Sequence, residues 1–206
     1  MKSFWDKIAP VYDVSECVNK RVYVKMLSWS RSLVPKGATV LECAAGTGAV
    51  SMAVSDKASQ VVCTDMSGAM LERAKRKCAA AGISNICFEE RSIMALTDAD
   101  ETYDVVIAAN VLHLMDDPQA AVKELLRTVR IGGRLLLPTF TTALPNGREK
   151  PFIRLYRLLG FSPAAQYTPQ SYFEMLKGCR SGGRLKMRVI DGLLPLSYAV
   201  IEKKQD

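Results

Sequence analysis

The sequence is expected to fold as an α/β domain on a doubly wound, mostly parallel seven-stranded sheet with an antiparallel terminal strand. Three observations lead there. Short apolar, β-branched runs alternate with helical segments through most of the chain, the pattern of a parallel sheet covered by helices on both faces. The first run, Thr39 to Cys43, breaks into a glycine-bearing turn and restarts as helix at Ala49. The last two runs, Arg184 to Asp191 and Leu196 to Glu202, are joined by a short turn at Gly192 to Pro195, and a pair set so closely must run antiparallel.

The elements follow in order. A helix is expected over about Asp6 to Leu33, then strand 1 (Thr39 to Cys43), a helix (Ala49 to Ser55), strand 2 (Gln60 to Thr64) and a helix (Gly68 to Ala81). Next come strand 3 (Ile86 to Glu90), strand 4 (Tyr103 to Ala109), a helix (Pro118 to Thr128) and strand 5 (Gly133 to Phe140), with Gly132-Gly133 expected to stop the preceding helix. Pro145-Asn-Gly147 signals a turn, and a helical insert is expected from Pro151 to Leu159. Another helix follows Thr168-Pro169, where Thr caps and Pro fills the first turn. At 206 residues and 49% hydrophobic content the chain can bury one sizeable core. Residues 1–206 are therefore read as a single domain, with 1–36 as an N-terminal helical cap.

Gly46 and Gly48 let backbone N–H groups approach a ligand that a Cβ would keep away, although such a turn can also be only a turn. Asp65 ends the second strand nineteen residues after Gly46, where a carboxylate can accept hydrogen bonds from ribose hydroxyls. It can also cap the helix that starts near Ser67. The third glycine of a dinucleotide fingerprint is absent, Ser51 standing in its place, and no Gly-Lys-Ser/Thr phosphate loop is present. Glu42 adds a carboxylate that would repel a pyrophosphate and attract an ammonium group. The residues point to a nucleoside bearing a cation.

With these residues in hand the chain resembles the class I S-adenosylmethionine-dependent methyltransferases, Rossmann-like in fold, of the small-molecule type that includes quinone-ring methyltransferases. Val40-Leu-Glu-Cys-Ala-Ala-Gly-Thr-Gly48 is similar to the family's first motif, with Ala44 replacing a glycine. The resemblance implies S-adenosyl-L-methionine as cofactor. It implies that Glu42 interacts with the methionine ammonium, that Gly46 and Gly48 border the methionine chain with Ala44 beside them, that Asp65 binds ribose and that Met66 lies against adenine. Ser92 stands where the family has an Asp for the adenine amino group, so that contact is expected to be weaker, while Ile93 offers its backbone N–H.

Tyr103-Asp-Val-Val-Ile-Ala-Ala109 and the following Asn110-Val-Leu-His113 resemble the family's fourth-strand signature. That turns Ala109 and Asn110 toward the cofactor, with His113, the only histidine, just beyond them. His113 is read either as a structural residue at a helix start or as a catalytic one, a general base or a group that orients the substrate. Phe4-Trp-Asp-Lys-Ile-Ala-Pro-Val-Tyr-Asp13 resembles the opening of the quinone-type relatives, in which an N-terminal helical piece folds over the cofactor. Tyr12 is thereby the second catalytic candidate, although Trp5, Ile8 and Tyr12 also read as a packing stripe. Residues 144–182 fall where this family builds a helical substrate lid. Arg148, Lys150, Arg154 and Arg157 in that span favour an anionic or amphipathic small-molecule substrate.

The formal net charge of +7 raises the question of nucleic acid, but the basic residues are dispersed rather than clustered among aromatics, so no nucleic-acid partner is expected. No apolar stretch approaches a membrane span and no signal-like segment opens the chain, which gives an expectation of a cytoplasmic protein without integral membrane association, as monomer or homodimer. Six cysteines lack a Cys-x-x-Cys pair, and Cys43, Cys63 and Cys87 fall in expected strands as small buried hydrophobes. No metal site is suggested.

Implied with the family is methyl transfer by direct displacement to an oxygen, carbon, nitrogen or sulfur nucleophile, the protein supplying proximity and dryness. The missing Asn-Pro-Pro-aromatic motif after strand 4 speaks against amino methylation of adenine or glutamine, and the missing Pro-Cys pair against cytosine C5 chemistry. Two other readings stay open: a noncatalytic cofactor-binding partner subunit, and a nicotinamide-dependent oxidoreductase, which Glu42 and the missing glycine oppose.

Overall fold

The computed structural model describes residues 4–13, 19–143, 164–180 and 183–205. Seven strands form one sheet: β1 (Ala38–Cys43), β2 (Ala58–Asp65), β3 (Ile86–Glu90), β4 (Tyr103–Ala108), β5 (Val129–Phe140), β6 (Arg184–Ile190) and β7 (Leu196–Glu202), in the order β3-β2-β1-β4-β5-β7-β6. β1 to β5 are parallel, and β7, the last in sequence, inserts between β5 and β6 and runs antiparallel to both.

Alternation along each central strand builds two cores. Leu41, Cys43, Val106, Ala108, Leu135 and Leu137 face one side. Val40, Val61, Cys63, Val105, Ile107 and Leu136 face the other. Both sides are dry because helices cover both, as a parallel sheet requires. The second core lies under α2 (Lys20–Leu33), α3 (Ala49–Val54) and α4 (Gly68–Ala80), and the first under α5 (Pro118–Thr128) and α6 (Pro169–Lys177). The buried stripe Val22, Met26, Ser30 of α2 is spaced four apart, one face of the helix. α6 starts as expected, with Thr168 capping and Pro169 at N1.

Three expectations are corrected. The N-terminal helix is not continuous: a short α1 (Phe4–Ile8) passes into a 3-10 turn (Ala9–Val11) around Pro10, and α2 begins only at Lys20. Proline has no N–H to give the helix ladder and breaks it. Gly132-Gly133 do not end α5, whose last residue is Thr128, but lie within β5. Gly133 passes so near the backbone of Asp104 and Arg130 that a Cβ would lie 2.7 Å from the Asp104 carbonyl oxygen, so the glycine serves strand packing. Cys87 is in β3 but exposed, on the edge strand, whereas Cys43 and Cys63 are buried in the sheet. The turn at 145–147 and the helical insert at 151–159 lie outside the described residues; the rest of the 144–182 span includes α6, whose Tyr172 and Leu176 are fully buried in the core. Among the described residues, no helix is long and apolar enough to cross a membrane.

Candidate functional site

The strand order reverses beside β1, which has β2 on one side and β4 on the other. In open α/β sheets the crevice outside the carboxyl ends of the strands at this point receives ligands, and a cavity lies there. The turn after β1 brings Ala44 and Gly46, the end of β2 brings Asp65 and Met66, the turn after β3 brings Ser92 and Ile93, and the end of β4 brings Ala109 and Asn110. Eight of the ten residues singled out as cofactor contacts thus line one cavity. Glu42 and Gly48 do not appear on its wall.

Gly46 has φ +54° and Gly48 has φ +76°, a left-handed backbone that suits glycine. Their surroundings differ. A Cβ on Gly46 would point toward the Tyr12 ring, 3.6 Å away, across space that belongs to the cavity, while one on Gly48 would press into the Ala74 side chain of α4 at 2.9 Å. Gly46 keeps the ligand face open, and Gly48 lets the loop close on a helix. Ala44 takes φ +52° without being glycine, a conformation that costs an L residue about 1 kcal/mol.

Asp65 holds the loop. One carboxylate oxygen accepts the Gly46 N–H at 2.8 Å and the other the Ser67 N–H at 2.8 Å. Burial raises its pKa, against the lowering effect of these backbone donors. Asp65 does not cap α4: Ser67 does, its hydroxyl accepting from the Met70 N–H at 3.2 Å. Met66, next in sequence, is 70% exposed and faces the cavity, an apolar surface that a flat ring can cover.

Glu42 is only 2% exposed and lies beneath the loop, with the Ser51 hydroxyl donating to it. Burial pushes its carboxyl up to about 8, which the hydrogen bond from Ser51 opposes. It is therefore largely protonated near neutrality and reaches the loop only from below. His113 sits on a 3-10 turn (Leu112–Leu114) after β4, and its neighbours Val111, Leu114 and Met115 line the cavity while it does not. Burial pushes the imidazole down to about 4, so it is neutral at pH 7 and poorly matched to general base work, which favours a pKa near the operating pH. Its carbonyl accepts the Ala165 N–H at 3.0 Å, which ties the segment ahead of α6 to this wall. Asn110, at φ +54°, uses its side-chain oxygen to accept the Phe140 N–H at 3.2 Å, so it fastens β4 to β5 as well as lining the cavity.

The N-terminal strap supplies Trp5 and Tyr12 to the wall, their rings edge to face at 6.4 Å. Its fastening was not anticipated. Asp13 accepts hydrogen bonds from Thr47 of the turn at 2.6 Å, Arg73 at 2.9 Å and Lys77 at 3.2 Å, both cations on α4. Burial alone would raise the Asp13 pKa, yet these donors bring it below the usual carboxylate value. Asp6 accepts from the Ser67 hydroxyl at 2.6 Å, a second tie. The signal was in the sequence: an acid closing the N-terminal motif and a run of cations in Arg73-Ala-Lys-Arg-Lys77. Met70, Arg91, Val111, Leu114 and Met115 also line the cavity without having been singled out.

The donor set discriminates among nucleotide-type ligands. Arg91 is the one cation among the described lining residues, and it is committed to Asp98 at 2.6 Å and Glu89 at 3.2 Å. A pyrophosphate would meet a carboxylate at Asp65 with no free cation beside it. A nucleoside with a cationic amino-acid tail meets the Asp65 carboxylate, methionine surfaces and an open glycine turn.

A methyltransferase-domain family model matches residues 40–133, the stretch that holds β1 to β4 and most of these wall residues. The chain is 32% identical to an uncharacterised protein of Mycobacterium tuberculosis over 145 residues, 69% of this chain and 53% of that protein. It is 32% identical to a demethylmenaquinone methyltransferase of Renibacterium salmoninarum over 143 residues, 68% of this chain and 58% of that one. The chain thus spans somewhat more than half the length of these curated relatives. Among solved structures it is similar in fold to an S-adenosylmethionine-dependent methyltransferase of Aquifex aeolicus, with a TM-score of 0.64 and 20% identity, covering 86% of this chain and 88% of that one.

Proposed function

Because the chain belongs to the class I S-adenosylmethionine-dependent methyltransferases, we propose that it transfers a methyl group by direct displacement to a small amphipathic acceptor with an electron-rich ring, as a quinone-type ring in its reduced form would be. The observation that carries this is the cavity itself: turn, ribose-type acceptor and methionine surfaces converge at the switch point of the sheet, and its one described cation is already paired.

Asp65 is the residue to hold a ribose, with Met66 and Ile93 against the base and the Ala44–Gly46 turn along the amino-acid tail. Glu42 acts from below: an ammonium beside it would favour its ionised form and release the proton that burial now retains. When bound, the cofactor supplies an electrophilic sulfonium methyl. The chain's own part is to align and to exclude water. Trp5 and Tyr12 close one side, and Val111, Leu114 and Met115 give the other an apolar wall, which suits an amphipathic acceptor better than a charged one. An already electron-rich nucleophile needs no essential base, consistent with the low proton affinity of His113. The N-terminal piece, about residues 1–36, serves as a cap through its strap, latched by Asp13. The test is transfer of labelled methyl from S-adenosylmethionine to a panel of reduced quinones, phenols, amines and thiols. Turnover confined to aromatic ring acceptors supports the proposal, and cofactor binding with no transfer to any acceptor favours the noncatalytic reading instead.

A further inference from the structure

The outer face of α2 and the adjoining face of β6 carry a group of features that the cavity does not use. Lys20, Arg21, Val24 and Lys25 form one exposed stripe, opposite the buried Val22, Met26 and Ser30; residues four apart lie on the same side of a helix. Arg184, Lys186 and Arg188, also exposed, alternate along β6. Trp29 joins the two elements, with the Lys25 ammonium 5.1 Å and the Arg188 guanidinium 6.0 Å from its ring centre. α2 itself contains no acidic residue. Among the described residues, Lys186 pairs with Glu202, and no carboxylate pairs with Lys20, Arg21, Lys25, Arg184 or Arg188.

Apolar groups stand at the carboxyl end of this face. Val24 is 55% and Leu193 64% exposed. The turn that carries Leu193 is held against the start of α2, because the Asn19 side chain donates to the Leu194 carbonyl at 2.7 Å and Gly192 packs so tightly on Val22 that any Cβ would collide with it. Leu193 lies in the turn after β6, whose carboxyl end is on the same side of the sheet as the cavity. Asp191 is the sole carboxylate of that turn.

We propose that this face docks on the surface of an anionic phospholipid bilayer, with Lys20, Arg21, Lys25 and Arg188 against headgroups and Val24 and Leu193 at the acyl boundary. Basic residues flanking exposed apolar ones are the composition that an interfacial surface needs. A single-stranded nucleic acid fits less well: it seeks aromatic faces for stacking, and the one tryptophan here already carries two cations and sits edge to face with Tyr198 at 5.6 Å. The dock places the carboxyl end of the sheet near the membrane, where an amphipathic acceptor resides. The docking itself does not depend on the methyl-transfer reading.

The experiment is cosedimentation of the full chain with vesicles of phosphatidylcholine alone or mixed with phosphatidylglycerol, at low and at physiological salt. Binding is expected to the mixed vesicles only and to weaken with salt. Lys20→Glu with Lys25→Glu is expected to weaken it by more than about twentyfold, at roughly fivefold per lost cation, and Leu193→Ser by a few-fold. Lys123→Glu with Lys177→Glu, exposed positions on the opposite helical layer, makes the same change of net charge and is expected to leave binding intact. Circular dichroism melting of each variant separates lost docking from lost folding. Equal binding to both vesicle types, equal loss in the control pair, or full displacement by a short RNA duplex overturns the proposal.

Discussion

The two walls of the cavity are built on different principles. On the β1/β2 side, polar groups on the wall or directly behind it are fixed by specific partners: Asp65 by the Gly46 and Ser67 N–H groups, and behind the wall Glu42 by Ser51 and Asp13 by Thr47, Arg73 and Lys77. On the β4 side, Val111, Leu114 and Met115 present apolar surface. A wall of fixed hydrogen-bonding geometry recognises one ligand, because each buried donor left unmatched costs about 1–3 kcal/mol. A wall of methionine and leucine accepts several shapes, since such side chains repack. Under the proposed function, backbone and carboxylates specify the cofactor and apolar area the acceptor.

That contrast can be broken most severely at Asp65. Asp65→Ala is expected to weaken S-adenosylmethionine binding by roughly a hundredfold, about 3 kcal/mol, measured by calorimetry, whereas Leu114→Ala should alter acceptor preference with little change in cofactor affinity. Equal effects of both on cofactor binding would remove the distinction between the walls.

Protonation gives the next test. Glu42 moves from an ordinary 4.5 to about 8 on folding, so its contribution is complete below 4.5 and is lost as pH rises through 8. His113 moves from 6.5 to about 4, so its contribution is complete above 6.5 and is lost as pH falls through 4. Between 4.5 and 6.5 the two oppose each other, and from 6.5 to 8 Glu42 acts alone. Stability of the ligand-free protein is expected to fall across that upper interval in urea titrations, and Glu42→Gln to flatten the fall.

A smaller effect is expected from the strap. Asp13 is partly exposed, and solvent screens its pairs with Arg73 and Lys77. Asp13→Ala should raise the cofactor Kd by about fivefold, near 1 kcal/mol, and added salt should narrow the gap between variant and parent. Smallest of all, Ala44→Gly relieves the φ of +52° but adds backbone freedom to the unfolded chain, for a net gain below about 1 kcal/mol in urea unfolding.

The same contrast explains what could be read from residue order. The strands, Gly46, Asp65 and the Ala109-Asn110 strand end were legible because glycine turns, strand-ending acids and alternation are local signals, while Ala44, Met66, Ser92 and Ile93 were reached only through the family resemblance. β3, β7 and α5 fall on their expected bounds. What was not legible depends on distance. Nothing local tells that Gly48 packs on Ala74 while Gly46 faces open space, or that full burial keeps Glu42 protonated against the opposing hydrogen bond from Ser51. The Asp13 tie to Lys77 joins residues sixty-four positions apart. Pro10 is a breaker visible in the sequence, yet the helix expected over Asp6 to Leu33 ran through it, and β5 began four residues early because Gly132 and Gly133 are compatible with a strand when a neighbouring backbone passes close.

Titration calorimetry of the ligand-free chain with S-adenosylmethionine, its demethylated product and NAD tests the central claim most directly. Micromolar binding of the first two, none of NAD, and loss of the first two in Asp65→Ala is the expected result. Binding of NAD, or no binding of the sulfonium compound to a protein that melts cooperatively, would contradict the assignment of this cavity.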